Sequence, residues 1–104
     1  MEKASQNQIA AWKREHGEVF EISVPADDAG TDVAAGYFRK PARETFAFAA
    51  RHAQSDPFKA GEIMFNGSWL GGDERLKTDV SLYLAASKRL GELTQIREAE
   101  LKKL

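Results

Sequence analysis

The sequence predicts an α+β domain: an N-terminal helix, a two-stranded antiparallel hairpin, and then three helices, the last of them long. Three observations lead there. The stretch EVFEISV (18–24) alternates apolar and polar residues with the two-residue period of a half-buried strand. After Pro41 the apolar residues recur every three or four positions instead, which is the helical period. Ser55-Asp56-Pro57 and Gly71-Gly72 then punctuate the second half into separate segments. At 104 residues the chain can bury one modest core, so 1–104 reads as a single domain. Residues 91–104 are a candidate projecting helical tail.

Residues 4–16 read as a helix, with Ser5 as its cap, Ile9 and Trp12 on one face and Gly17 as its stop. In strand 18–24, Phe20, Ile22 and Val24 face one way, and Val19, Glu21 and Ser23 the other. Pro25 and ADDAGTD (26–32) make an acidic loop, and VAAGYFRK (33–40) is a second, weaker strand, because alanine and glycine have poor strand propensity. One hairpin register sets Phe20 opposite Phe38, Glu21 opposite Tyr37 and Glu18 opposite Lys40, matching apolar with apolar and acid with base. Proline precedes a helix over 42–54, whose expected inner face carries Phe46, Ala49, Ala50 and Ala53. Asp56-Pro57 starts a third helix over about 57–66 with Phe58, Ile63, Met64 and Phe65, and SWLGGDER (68–75) reads as a turn. From about Asp79 a long helix is expected to run towards the C-terminus, with Val80, Tyr83, Leu84, Leu90, Leu93, Ile96 and Leu101 as its stripe.

Composition narrows the function classes. Fifteen basic and sixteen acidic residues nearly cancel, which is not the basic excess of a dedicated duplex-DNA binder. The absence of cysteine excludes disulfides, thiolate zinc sites and a cysteine nucleophile, and fits a reducing cytoplasm. No apolar run approaches the roughly 20 residues that span a bilayer, and MEKASQNQIAAW lacks the apolar centre of a signal peptide. A soluble cytoplasmic protein is the expectation.

Candidate chemistry is sparse. His16 and His52 have no second ligand at metal-binding spacing; His16 suits a helix end and His52 an exposed face. No serine sits in a nucleophile-elbow pattern. Asp27, Asp28 and Asp32 lack the terminal glutamate of a calcium loop and read as a solvated acidic loop. Gly71-Gly72 is not a phosphate loop, since no GxxxxGK[ST] is present, and reads as a turn that folds Trp69 and Leu70 onto the core. No cofactor or metal site is expected, and an enzyme is disfavoured. From Arg39 to Arg51, four basic residues (Arg39, Lys40, Arg43, Arg51) face one acid, Glu44. Glu15 to Asp32 holds six acids and neither lysine nor arginine, so the two segments can neutralise one another. Tyr37-Phe38-Arg39 has the aromatic–basic character of single-strand nucleic-acid platforms, but adjacent strand residues point to opposite faces and cannot stack on one surface.

A strand ending in YFRKP, then a helix, then SDPFKAGEIMFNGSWLGGDE and a closing helix resembles the small tail assembly chaperones of long-tailed phages and prophages, over residues 12–104. The matching positions are Tyr37, Phe38 and Pro41, Asp56-Pro57, and Trp69-Leu70-Gly71. The resemblance implies a non-catalytic protein that binds the tape-measure protein, keeps it soluble and helps tail tube subunits assemble on it. It carries no catalytic residues. It also implies an extended form made by ribosomal frameshifting, for which adjacent lysine codons at Lys102-Lys103 would supply a slippery site. Such a chaperone needs an exposed apolar strip, and helix-in-groove docking is the general mode. The candidate strip is Leu90, Leu93, Ile96 and Leu101 on the terminal helix; the alternative is that these residues close the core or a dimer interface. A homo-oligomer is compatible with either. The rival readings are a nucleic-acid-binding regulator using Arg39, Lys40, Arg43 and Arg51, and a small enzyme or enzyme subunit.

Overall fold

The computed structural model describes residues 4–94 and 98–104. The elements are α1 (Gln6–His16), β1 (Val19–Pro25), β2 (Val33–Arg39), α2 (Arg43–His52), α3 (Pro57–Ser68), β3 (Trp69–Gly72), α4 (Arg75–Thr78) and α5 (Val80–Leu90), followed by a 3₁₀ turn, Gly91–Thr94. The α+β class therefore holds, with three strands and five α-helices among the described residues in place of the expected two and four. The antiparallel sheet has the order β1-β2-β3, which makes β2 its centre.

Local chemistry accounts for most of the boundaries. Ser5 Oγ accepts a hydrogen bond from the Gln8 N–H at 3.1 Å and caps α1, and Gly17, at φ 83°, ends it. Asp56 accepts from the Lys59 N–H at 3.1 Å ahead of Pro57, and Asp79 accepts from the Leu82 N–H at 3.2 Å to start α5. The hairpin adopts the expected register, with Phe20 opposite Phe38 and Glu21 opposite Tyr37. Beyond the strand ends, Lys40 Nζ lies 3.6 Å from the Glu18 carboxylate.

Because successive strand residues point to opposite faces, the sheet is covered on both sides. Ala34 and Phe38 join Ile22, Val24, Phe65, Leu76, Leu82, Ala86 and Leu90 in the core beneath α3, α4 and α5. The Phe38 ring meets Phe65 and Trp69 edge-on, with centroids 5.3 and 5.4 Å away. On the other face Tyr37 is buried beside Trp12 of α1, 5.6 Å between rings, and its hydroxyl donates to Glu21 Oε1 at 2.9 Å. Burial, together with the neighbouring Glu21 carboxylate, pushes the Tyr37 phenol up from its ordinary value.

Two expectations are corrected. The turn over 68–75 contains β3, which pairs with β2 through Gly36–Gly72, Tyr37–Gly71 and Phe38–Trp69. A WLGG tetrapeptide has little strand propensity of its own. What forms the strand is close approach: at Gly72 (φ 135°) a Cβ would sit 2.5 Å from the Ala35 carbonyl oxygen and 2.7 Å from the Gly36 Cα. The long C-terminal helix is the second correction. It starts at Val80 as α5 but ends at Leu90, and residues 98–104 have no regular secondary structure; the short α4 lies before it, at Arg75–Thr78. The core seam Leu82, Ala86, Leu90 stops there, and short helices persist in water mainly where a face is packed. Gly91, of poor helix propensity, follows at once.

The acidic loop is anchored rather than merely solvated. Asp27 holds the loop by accepting from the Thr31 hydroxyl and the Asp32 N–H. Asp32 in turn takes two hydrogen bonds from Arg75, at 2.8 and 3.0 Å. The same guanidinium donates to Asp73 at 2.8 Å, and the Asp73 side chain is only 4% exposed. Arg75 thus ties the β1–β2 loop to the start of α4. Its hydrogen bonds hold both the Asp73 and Asp32 carboxyls below the usual carboxylate range, against the opposing effect of burial.

Two predictions follow from these contacts. Gly72→Ala is expected to destabilise the domain by about 1–3 kcal/mol or more, since it adds backbone strain and a steric clash, as read by urea unfolding. For the clamp, the folded-state carboxyl values lie below the unfolded ones, so its stabilisation is full above the unfolded value and is lost as pH falls. Wild-type stability should therefore drop between about pH 5 and pH 2. Asp73→Asn should cost about 1.5–3 kcal/mol near neutrality and flatten that acid limb.

Candidate protein-binding surface

The structure divides the four basic residues singled out in the sequence. At the hairpin end, Arg39 donates to the Lys40 carbonyl at 3.3 Å and contacts His16 Nδ1 at 3.2 Å, while Lys40 faces Glu18. Arg43 and Arg51 stand exposed on α2, with no ion pair to any described residue. Two of the four are thus engaged at the hairpin end and two are not.

The terminal apolar residues separate as well. Leu90 is 5% exposed and belongs to the core beside Leu82 and Ala86, so it is closed to a partner. The reason is register: positions 82, 86 and 90 repeat every four residues on the face that α5 turns to the sheet. Leu93 is half-buried against the core. It also lines a cleft of about 300 Å³ with Phe20, Ile22 and Arg89. Leu101 is fully exposed. Ile96 lies outside the described residues.

Exposed apolar surface also lies on α2 and α3. Phe46 and Phe48 of α2 are 52% and 48% exposed, and Phe58 of α3 is 62% exposed. Expected on α2 was an inner face of Phe46, Ala49, Ala50 and Ala53; only Ala49 is buried. The helix instead packs on α3 through small residues. A Cβ added to Gly67 would press on Thr45, whose Oγ1 would be 3.1 Å away, and Ala49 lies one turn further along. Gly67 is what lets Thr45 come this close. One signal for the exposed rings was present in the sequence. Phe46 and Phe48 are two positions apart, roughly 200° around a helix, so one face could not bury both.

A second exposed patch lies where α3 meets α5. Val80 and Leu84, one turn apart, point away from the core stripe and are 71% and 55% exposed. Phe58 approaches Tyr83 at 6.1 Å between rings. Around them Phe58, Glu62, Lys77, Val80 and Tyr83 line a cleft of about 110 Å³. Among the described residues no group of three or more His, Asp or Glu side chains is placed to hold a metal ion. What these surfaces offer is apolar contact edged by isolated charges, which suits the side chains of another protein.

The reassignment of the leucines can be measured. Leu90→Ala should cost about 2–5 kcal/mol in urea unfolding, whereas Leu101→Ala should fall within about 0.5 kcal/mol of wild type.

No family model matches the chain, and no curated protein matches it. Among solved structures it is similar to that of an uncharacterised protein from Bacillus stearothermophilus, with a TM-score of 0.60 and 18% identity, over 90% of this chain and 98% of that one. At that identity the likeness shows a shared fold.

Proposed function

We propose that this chain is a non-catalytic protein-binding factor that acts as a tail assembly chaperone, holding a tape-measure protein in solution while a phage tail is built. The observation that carries the reading is the helical pair α2–α3, which presents Phe46, Phe48 and Phe58 to solvent from a folded α+β body. Large aromatic side chains kept half in water are costly on a monomer and characteristic of interaction surfaces. The junction residues that carry the family resemblance have structural uses: Phe38 in the core, Tyr37 under α1 and Asp56-Pro57 at the start of α3. They support a fold role for those positions and leave binding to the exposed rings.

A nucleic-acid role draws less support. Arg39 and Lys40 are engaged at the hairpin end, and Tyr37 and Phe38 are buried, so the aromatic–basic stretch does not form an open platform.

The test is co-expression with the neighbouring long helical reading frame of tape-measure type. The long partner should move from the insoluble to the soluble fraction and co-purify with this chain. Absence of such a reading frame from the gene neighbourhood, or a partner equally soluble without this chain, would overturn the reading.

A further inference from the structure

We propose that the outer edge of β1 pairs antiparallel with the same edge of a second copy of this chain, about a twofold axis at Ile22. The inference rests on the sheet alone and does not depend on the chaperone reading. In the order β1-β2-β3, β1 is an edge strand, and no described residue pairs with its outer side. Its seven residues run without a register shift, whereas the opposite edge, β3, has four. Soluble proteins blunt their edge strands with lysine, bulges or proline. Strand β1 carries no lysine, and Pro25 stands at its very end. Its one charged residue, Glu21, is hydrogen-bonded to Tyr37 of β2.

Ladder geometry fixes which backbone groups face outwards. The Ala26 N–H donates to the Asp32 carbonyl at 2.7 Å, one step beyond the last β1–β2 pair and in the same register. Such bonds recur at every second residue of an antiparallel pair, so Phe20, Ile22 and Val24 direct their backbone groups to β2. Val19, Glu21 and Ser23 direct theirs outwards. The far side of β2 agrees: the Ala35 carbonyl, opposite Ser23, is turned from β1 and accepts from the Asp73 N–H at 2.9 Å.

A twofold axis at Ile22 uses these outward groups. Glu21 exchanges N–H···O=C bonds with Ser23 of the second copy, and Ser23 does so with its Glu21. Ile22 then faces Ile22 and Phe20 faces Val24 on the core side, while Glu21 faces Ser23 on the other, so no like charges meet. An axis at Glu21 would instead set two carboxylates opposite each other. Beside this edge lies the cleft of about 300 Å³ that Phe20, Ile22 and Leu93 line. A foreign extended peptide is the rival occupant; the symmetric match of apolar with apolar favours the chain's own strand. A formal net charge of −1 sets little long-range repulsion between copies.

Sedimentation equilibrium of the full chain from about 5 to about 500 μM should show a reversible dimer, the weak association expected of a small interface. Ser23 is exposed, and Ser23→Asp opposes it to Glu21 twice per dimer, so dimerisation should weaken about tenfold. Ser23→Lys should tighten it. Ser23→Pro removes an outward N–H and leaves the β1–β2 ladder whole; it should abolish the dimer without changing the circular dichroism. In wild type, hydrogen exchange at the Val19, Glu21 and Ser23 amides should slow as concentration rises. The Phe20, Ile22 and Val24 amides, bonded to β2 already, should not respond. A chain that stays monomeric over this range overturns the proposal, including one that takes up an extended peptide at β1 instead. So does a dimer indifferent to all three Ser23 variants, or concentration-dependent protection confined to other segments. Should Ser23→Pro fail to fold, the Asp and Lys variants and the wild-type exchange pattern still decide.

Discussion

Phe38 lies near the C-terminal end of the central strand, and its ring meets Phe65 from α3 and Trp69 from β3 edge-on while its neighbour Tyr37 turns to the opposite face. The fold depends on that pair of contacts being made at once. Phe38 joins the hairpin to the helical half, and Tyr37, hydrogen-bonded to Glu21 of β1, gives α1 something to cover through Trp12. A two-stranded hairpin alone is marginal in water; a third strand and packed helices on its faces make it stable. The space around Phe38 is closely filled. A Cβ at Gly36 would come within 2.6 Å of Leu76 and 2.9 Å of Trp69, so the glycine that weakens β2 as a strand is what lets α4 and β3 reach it.

The periphery follows from how much of the chain that core can hold. At the β1–β2 loop, Arg75 fastens the acidic loop to α4 by satisfying two carboxylates at once, one of them buried. At the other end, α2 meets α3 where Thr45 approaches Gly67, and its phenylalanines are turned out. The proposed binding surface is therefore a by-product of close helix packing. Small residues at the seam let the helices approach closely, and the phenylalanines between them in sequence stand half exposed.

Legibility from sequence followed the range of the interactions. Ser5 and Asp56-Pro57 act within one helical turn, and each appears where its residue type placed it. The hairpin register was legible because Phe20–Phe38, Glu21–Tyr37 and Glu18–Lys40 all agree on it. Strand β3 was not, since its glycines carry turn propensity and only the neighbouring strand makes WLGG extended. The orientation of α2 was half legible: the i, i+2 spacing of its phenylalanines ruled out a single apolar face but could not say which residues would meet α3.

By itself, then, the sequence determined the α+β class, the caps, the hairpin and its pairing, because those rest on period, propensity and contacts close along the chain. Tertiary structure alone decided that β2 would be the centre of a three-stranded sheet and that Leu90 would belong to the core. It likewise decided that Arg75 would bridge Asp32 and Asp73, and that Phe46 and Phe48 would face water. The physical reason is common to all four. Each depends on which surfaces fit together at a distance along the chain, and burial rewards any apolar face that finds a partner without recording in the sequence which face that will be.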